Sequence, residues 1–89
     1  MSVCKRVQYQ GRVQGVGFRY TAQHLADHYT VAGYVRNLSS GDVELVAEGE
    51  AAEVEGFLRA VDQRMAHYIN RAEVRDETPC GYRGFHIRY

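Results

Sequence analysis

From Lys5 to Val13 apolar or small residues take every second place. Val7, Tyr9, Gly11 and Val13 alternate with Arg6, Gln8, Gln10 and Arg12. That period of two predicts a strand with one buried and one wet face. The bend Gln14-Gly15-Val16-Gly17 follows. The period then changes: Phe18, Ala22, Leu25, Ala26 and Tyr29 stand three or four apart, which predicts an amphipathic helix. The β-branched pair Thr30-Val31 and then Gly33 are expected to end it. Val31, Gly33, Val35 and Asn37 share one face of a second strand, over 31–38. Ser39-Ser40-Gly41-Asp42 reads as a turn. Val43, Leu45 and Ala47 then face inward, with Glu44, Val46 and Glu48 outward, so the two strands form a hairpin.

A second helix is predicted over 51–66, with Val54, Phe57, Leu58, Val61 and Met65 as its stripe. Glu50, Glu53 and Glu55 near its start and Arg59 and Arg64 later suit the helix dipole. Residues 71–77 read as an edge strand, Ala72 and Val74 inward and Glu73, Arg75 and Glu77 wet. After the loop Thr78-Pro79-Cys80-Gly81, alternation of Phe85, Ile87 and Tyr89 predicts a short last strand. The order βαββαβ plus a terminal strand is an α+β, ferredoxin-like split βαβ sandwich. Both helices would cover one sheet face, leaving Gln8, Gln10, Glu44, Val46 and Glu48 to meet water.

Composition narrows this picture. The 89 residues, 45% hydrophobic and 25% charged, suit one domain over 1–89 with a single core. Eleven basic residues balance eleven acidic ones, which argues against a nucleic-acid partner. The apolar runs are too short for a membrane span or a signal peptide, so a cytoplasmic protein is expected. The two cysteines, Cys4 and Cys80, are too few for a disulfide scaffold. An antiparallel fourth strand would bring them near each other, but free thiols are the expectation in a reducing cytosol.

The topology suggests where chemistry belongs. In this fold the first two strands are parallel, joined by a right-handed crossover, so their carboxyl ends share one end of the sheet. The first delivers Gly15-Val16-Gly17-Phe18-Arg19 there; the second delivers Asn37. Orphan amides in a strand-to-helix bend form an anion hollow, and Arg19 adds a planar fork for phosphate oxygens. By pattern alone the bend also reads as a tight turn with a solvated arginine. Asn37 reads either as a cap for the following turn or as a group that orients water or substrate; its amide does not titrate, so it cannot be a base.

The stretch Gly11-Arg12-Val13-Gln14-Gly15-Val16-Gly17-Phe18-Arg19 resembles the signature of the acylphosphatases. Gly33-Tyr34-Val35-Arg36-Asn37-Leu38 with Gly41-Asp42-Val43-Glu44 resembles the second signature. Length, element order and the ending Phe85-His86-Ile87-Arg88-Tyr89 are also similar, so the resemblance spans essentially the whole chain. It implies a hydrolase that cleaves small acyl phosphates to a carboxylate and inorganic phosphate. It implies that the amides of Gly15, Val16, Gly17, Phe18 and Arg19, with the Arg19 guanidinium, bind the phosphoryl group. It implies that Asn37 orients the attacking water and that a substrate phosphate oxygen takes the proton. No metal, no cofactor and no covalent intermediate are implied. Inorganic phosphate or sulfate is then an expected site ligand, and a monomer is expected. Relatives can also use the last residue's carboxylate to hold the catalytic arginine. For Tyr89 this role stands beside simple packing.

Two departures are visible. The turn is Ser39-Ser40-Gly41 where many relatives carry Asp or Asn before Gly. Ala66-His67-Tyr68-Ile69-Asn70 replaces a common Gly-Pro and blurs the start of the fourth strand. Neither touches Arg19 or Asn37. His24 sits well along the helix from Arg19, and His28, His67 and His86 show no metal-ligand spacing. Rival readings are a non-catalytic anion-binding or regulatory module of the same fold and an RNA-binding domain. The second would want aromatic side chains where the outer face carries glutamines and glutamates.

Overall fold

A computed structural model describes residues 2–89. The elements are β1 (Ser2–Gly11), α1 (Phe18–Ala26), β2 (Val31–Asn37), β3 (Val43–Glu50), α2 (Ala51–Arg64), β4 (Ile69–Glu77) and β5 (Phe85–Arg88). They build one sheet in the order β4-β1-β3-β2-β5. The β1–β3, β1–β4 and β2–β3 pairs are antiparallel and β2–β5 is parallel. This is the split βαβ sandwich with a fifth strand added beside β2. No helix among the described residues is long and apolar enough to cross a membrane.

The alternation of the strands sets the core. Val7 and Tyr9 of β1, Val35 of β2 and Val43, Leu45 and Ala47 of β3 lie under Phe18, Ala22 and Ala26 of α1 and Val54, Phe57 and Val61 of α2. Full burial of each large side chain contributes about 1.5–3 kcal/mol. The Phe57 ring meets Tyr29 on one side and Phe85 of β5 on the other, with centroids 6.1 and 5.2 Å away. Deleting it would cost about 3–5 kcal/mol.

Three expectations are corrected. The helical pattern to Tyr29 breaks at Ala26. Asp27 is the C-cap and residues 28–29 close turns onto Leu25 and Ala26, although Tyr29 still packs on the core. Ala72 and Val74 share the inner face with Tyr9 and Val7 but are not buried. β4 lies at the sheet edge beyond the cover of the helices, and Val74 is 56% exposed. The outer face is not uniformly wet. Cys4, Tyr34 and Val46 form a second small core there under Tyr82. Glu48 causes this by accepting hydrogen bonds from the amides of Cys80 (2.7 Å) and Gly81 (3.0 Å), which pins the β4–β5 loop across the sheet. Cys4 and Cys80 are both free, Cys4 buried and Cys80 exposed.

Candidate active site

The register brings the two carboxyl ends level. Val43 of β3 stands opposite Tyr9 of β1 and opposite Asn37 of β2. Beyond Tyr9 the ladder slips at Gln10 and Gly11. A Cβ on Gly11 would lie 2.3 Å from the Tyr68 carbonyl oxygen, so only glycine lets the strands approach there. The Arg12 amide donates to that same carbonyl at 2.9 Å. From here the chain leaves the sheet.

The bend is anchored at both ends and turns on two glycines between them. Val13 and Phe18 are buried, and the Phe18 ring lies 4.9 Å from that of Tyr9. Between them Gly15 and Gly17 have φ of 76° and 77°, the left-handed region that disfavours side chains. Gly17 is the N-cap of α1, with no side-chain cap and no acidic residue in the first turn. The first amides of a helix have no intrahelical partner. Among the described residues, no turn or loop bond to a backbone carbonyl uses the amides of Gly15, Val16 or Gly17 either. A row of unused donors at a helix N-terminus favours an anion.

Arg19 and Asn37 meet at this bend. With Val13, Gly15, Gly17, Phe18 and Tyr20 they line a hollow of about 110 Å³. Arg19 pairs with no carboxylate among the described residues. Its guanidinium carbon lies 4.9 Å from the centroid of the Tyr89 ring. The Tyr89 hydroxyl is 3.2 Å from that of Tyr20. Asn37 is half-buried at the end of β2. Val16, the remaining residue of the proposed cradle, is half-buried and packs on the core rather than lining the hollow.

His24 belongs to a different depression, with Tyr20, Thr21, Leu25 and Arg64. Among the described residues, no group of three or more His, Cys, Asp or Glu is placed to hold a metal ion. A wider groove of about 560 Å³ lies at the far end of the sheet, between Tyr29–Ala32 and Tyr82–Gly84, away from Arg19.

Sequence reading passed over Gln14. Its side-chain Nε2 donates to the carbonyls of Leu38 (2.7 Å) and Asp42 (2.9 Å), tying the bend to the turn after Asn37. Its position inside the bend was the only signal. The outer face carries a second polar cluster. Glu44, 8% exposed, accepts from Arg6 at 2.6 Å, Arg36 at 2.8 Å and the Tyr34 hydroxyl at 2.9 Å. Arg6 also pairs with Glu77.

Residues 5–87 match the acylphosphatase family model. The chain belongs to the acylphosphatase family. An acylphosphatase of Methanospirillum hungatei is 41% identical over 80 residues, 88% of each chain. One from a Synechococcus species is 48% identical over 80 residues, 89% of this chain and 85% of its own. The crystal structure of acylphosphatase from Bacillus subtilis is 34% identical and superposes with a TM-score of 0.87, over 98% of this chain and 99% of that one. The activity that goes with this membership is hydrolysis of the acylphosphatase type.

Proposed function

We propose that this acylphosphatase binds the phosphoryl group of its substrate in the hollow between the Gly15–Arg19 bend and Asn37. The observation that carries this reading is that one small hollow is lined by Arg19, Asn37, Gly15 and Gly17 together. The amides and the Arg19 fork meet the charge on the phosphoryl oxygens. Asn37 holds a water in line with phosphorus, which supplies the proximity effect. Water oxygen bonds to phosphorus as the bond from phosphorus to the acyl oxygen breaks. That oxygen leaves as a carboxylate with the electron pair, and the water's proton goes to a phosphoryl oxygen. A carboxylate departs without protonation, so no general acid is required. One chain supplies every group in this scheme, which supports a monomer; a cytoplasmic location, and inorganic phosphate or sulfate as a ligand of the same hollow, belong to the same proposal.

The test is a phosphate-release assay on acetyl phosphate and glycerol phosphate, with and without EDTA. Rapid release from acetyl phosphate alone, untouched by EDTA, is expected. Comparable release from the monoester would show a general acid missing from this scheme, and loss of activity on chelation would show a metal. Phosphate binding without release from either compound would make the chain a non-catalytic module.

A further inference from the structure

The hollow is small and its rim is aromatic. Four large hydrophobic side chains are exposed among the described residues, and two of them, Tyr20 (60%) and Tyr89 (90%), meet at this rim. Tyr20 lines the hollow. The hydroxyls of the two residues touch, 3.2 Å apart, and the Tyr89 ring stands beside the Arg19 guanidinium. Most of the surface of both remains open to water, where covering it with apolar matter is favourable.

We propose that Tyr20 and Tyr89 form an acyl subsite, and that this chain prefers acyl phosphates whose acyl group is aromatic. The inference rests on the phosphoryl reading above and adds the substrate class to it. Ligand pockets for drug-sized molecules run to about 300–1,000 Å³. A hollow of about 110 Å³ has room for the phosphoryl group and little else. In an acyl phosphate the acyl carbon is one bridging oxygen from phosphorus. A phosphoryl group held beside Arg19 therefore sends its acyl group out over the rim, where it meets the tyrosines. A flat aromatic acyl group gains ring-on-ring contact there. A methyl group covers little of either ring. An acyl group with its own phosphate or carboxylate gains nothing extra, because Arg19 is the one charged side chain in the lining and the phosphoryl group uses it.

The experiment compares kcat/KM for benzoyl phosphate and acetyl phosphate in the native chain, Tyr20→Ser and Tyr20→Phe. Taking the benzoyl-to-acetyl ratio relative to the native chain cancels the intrinsic reactivity of the two leaving groups. Ring contact of this kind is worth about 2- to 10-fold, so Tyr20→Ser is expected to lower the ratio by that factor. Tyr20→Phe keeps the ring and is expected to keep the ratio. Inhibition by phenylphosphonate and methylphosphonate gives a second reading that needs no turnover. The phenyl compound is expected to bind the native chain more tightly and to lose that advantage in Tyr20→Ser. An unchanged ratio in folded Tyr20→Ser, or equal inhibition of the native chain by both phosphonates, overturns the subsite. Absence of turnover on both acyl phosphates would instead overturn the phosphoryl reading, and the phosphonate contrast would still decide the subsite.

Discussion

Gln14 is bonded to Leu38. The side-chain nitrogen of the bend residue donates to the backbone carbonyl that follows Asn37, across 2.7 Å, and the same nitrogen reaches the Asp42 carbonyl at 2.9 Å. The Gly15–Arg19 bend and Asn37 follow strands that are not neighbours, since β3 lies between β1 and β2. Gln14 spans that gap above the sheet.

This makes Gln14→Leu informative. Both carbonyls keep another donor, Gly41 for Leu38 (3.1 Å) and Leu38 for Asp42 (2.8 Å). The loss of stability should therefore be that of ordinary hydrogen bonds, about 0.5–1.5 kcal/mol. A bend that shifts by about 1 Å relative to Asn37 costs about 10²-fold in rate. The expected result is a small change in melting temperature with a large drop in kcat. Native turnover in the variant would show that the two loops hold their spacing without Gln14.

Glu44 predicts a pH effect on stability rather than on catalysis. Burial alone would push its carboxyl up. Hydrogen bonds from Arg36, Tyr34 and Arg6 outweigh that and hold its pKa below the usual carboxylate range. With the folded pKa below the unfolded one, the native state gains stability above the unfolded value, about 4.3, and loses it as pH falls through the folded value. Glu44→Gln should lower stability at neutral pH by roughly 1–3 kcal/mol, and the deficit should shrink on acidification below about pH 4. Denaturant melts of both proteins at pH 7 and pH 3 measure it. A deficit that is equal at both would assign the loss to packing instead of charge.

Most of the fold was legible because its core strands alternate cleanly. Val7, Tyr9, Val35, Leu45 and Ala47 are inward as the period of two requires. The site was legible because right-handed crossover fixes which strand ends coincide. What alternation could not show is what lies against the outer face. Val46 read as solvent-facing, and it is buried with Tyr34 because Glu48 holds a distant loop over them. Val74 failed the other way. Its register partner Val7 is buried, but Val74 itself is 56% exposed on the edge strand. The Gln14 bridge was hidden because a glutamine's two carbonyl partners lie 24 and 28 residues away.

Asn37→Ala separates water orientation from phosphate binding. Removing one oriented donor or acceptor costs about 10²–10³-fold in turnover. Asn37 is half-buried at a strand end, so the fold should survive. Inhibition by inorganic phosphate should persist, since Arg19 and the amides are untouched. Near-native kcat in the folded variant would remove Asn37 from the reaction.

Arg19→Lys is the sharpest test of the phosphoryl clamp. Charge is kept, so a role in attraction alone would spare much of the activity. The guanidinium presents a flat fork that meets two oxygens together, whereas an ammonium is compact and more strongly hydrated. The Tyr89 ring beside Arg19 adds to the difference, because a planar guanidinium can stack on it and an ammonium cannot do so in the same way. The amide cradle stays, so weakened phosphate inhibition should remain measurable. Alignment against the water at Asn37 is what should go, at a cost of about 10²-fold for a misplacement of about 1 Å. Stability should hardly change, since the Arg19 side chain makes no ion pair among the described residues. The measurement is kcat and phosphate inhibition for the purified variant, with circular dichroism to confirm folding. A folded Arg19→Lys protein that keeps more than about a tenth of native turnover would reduce Arg19 from a bidentate clamp to a point of charge.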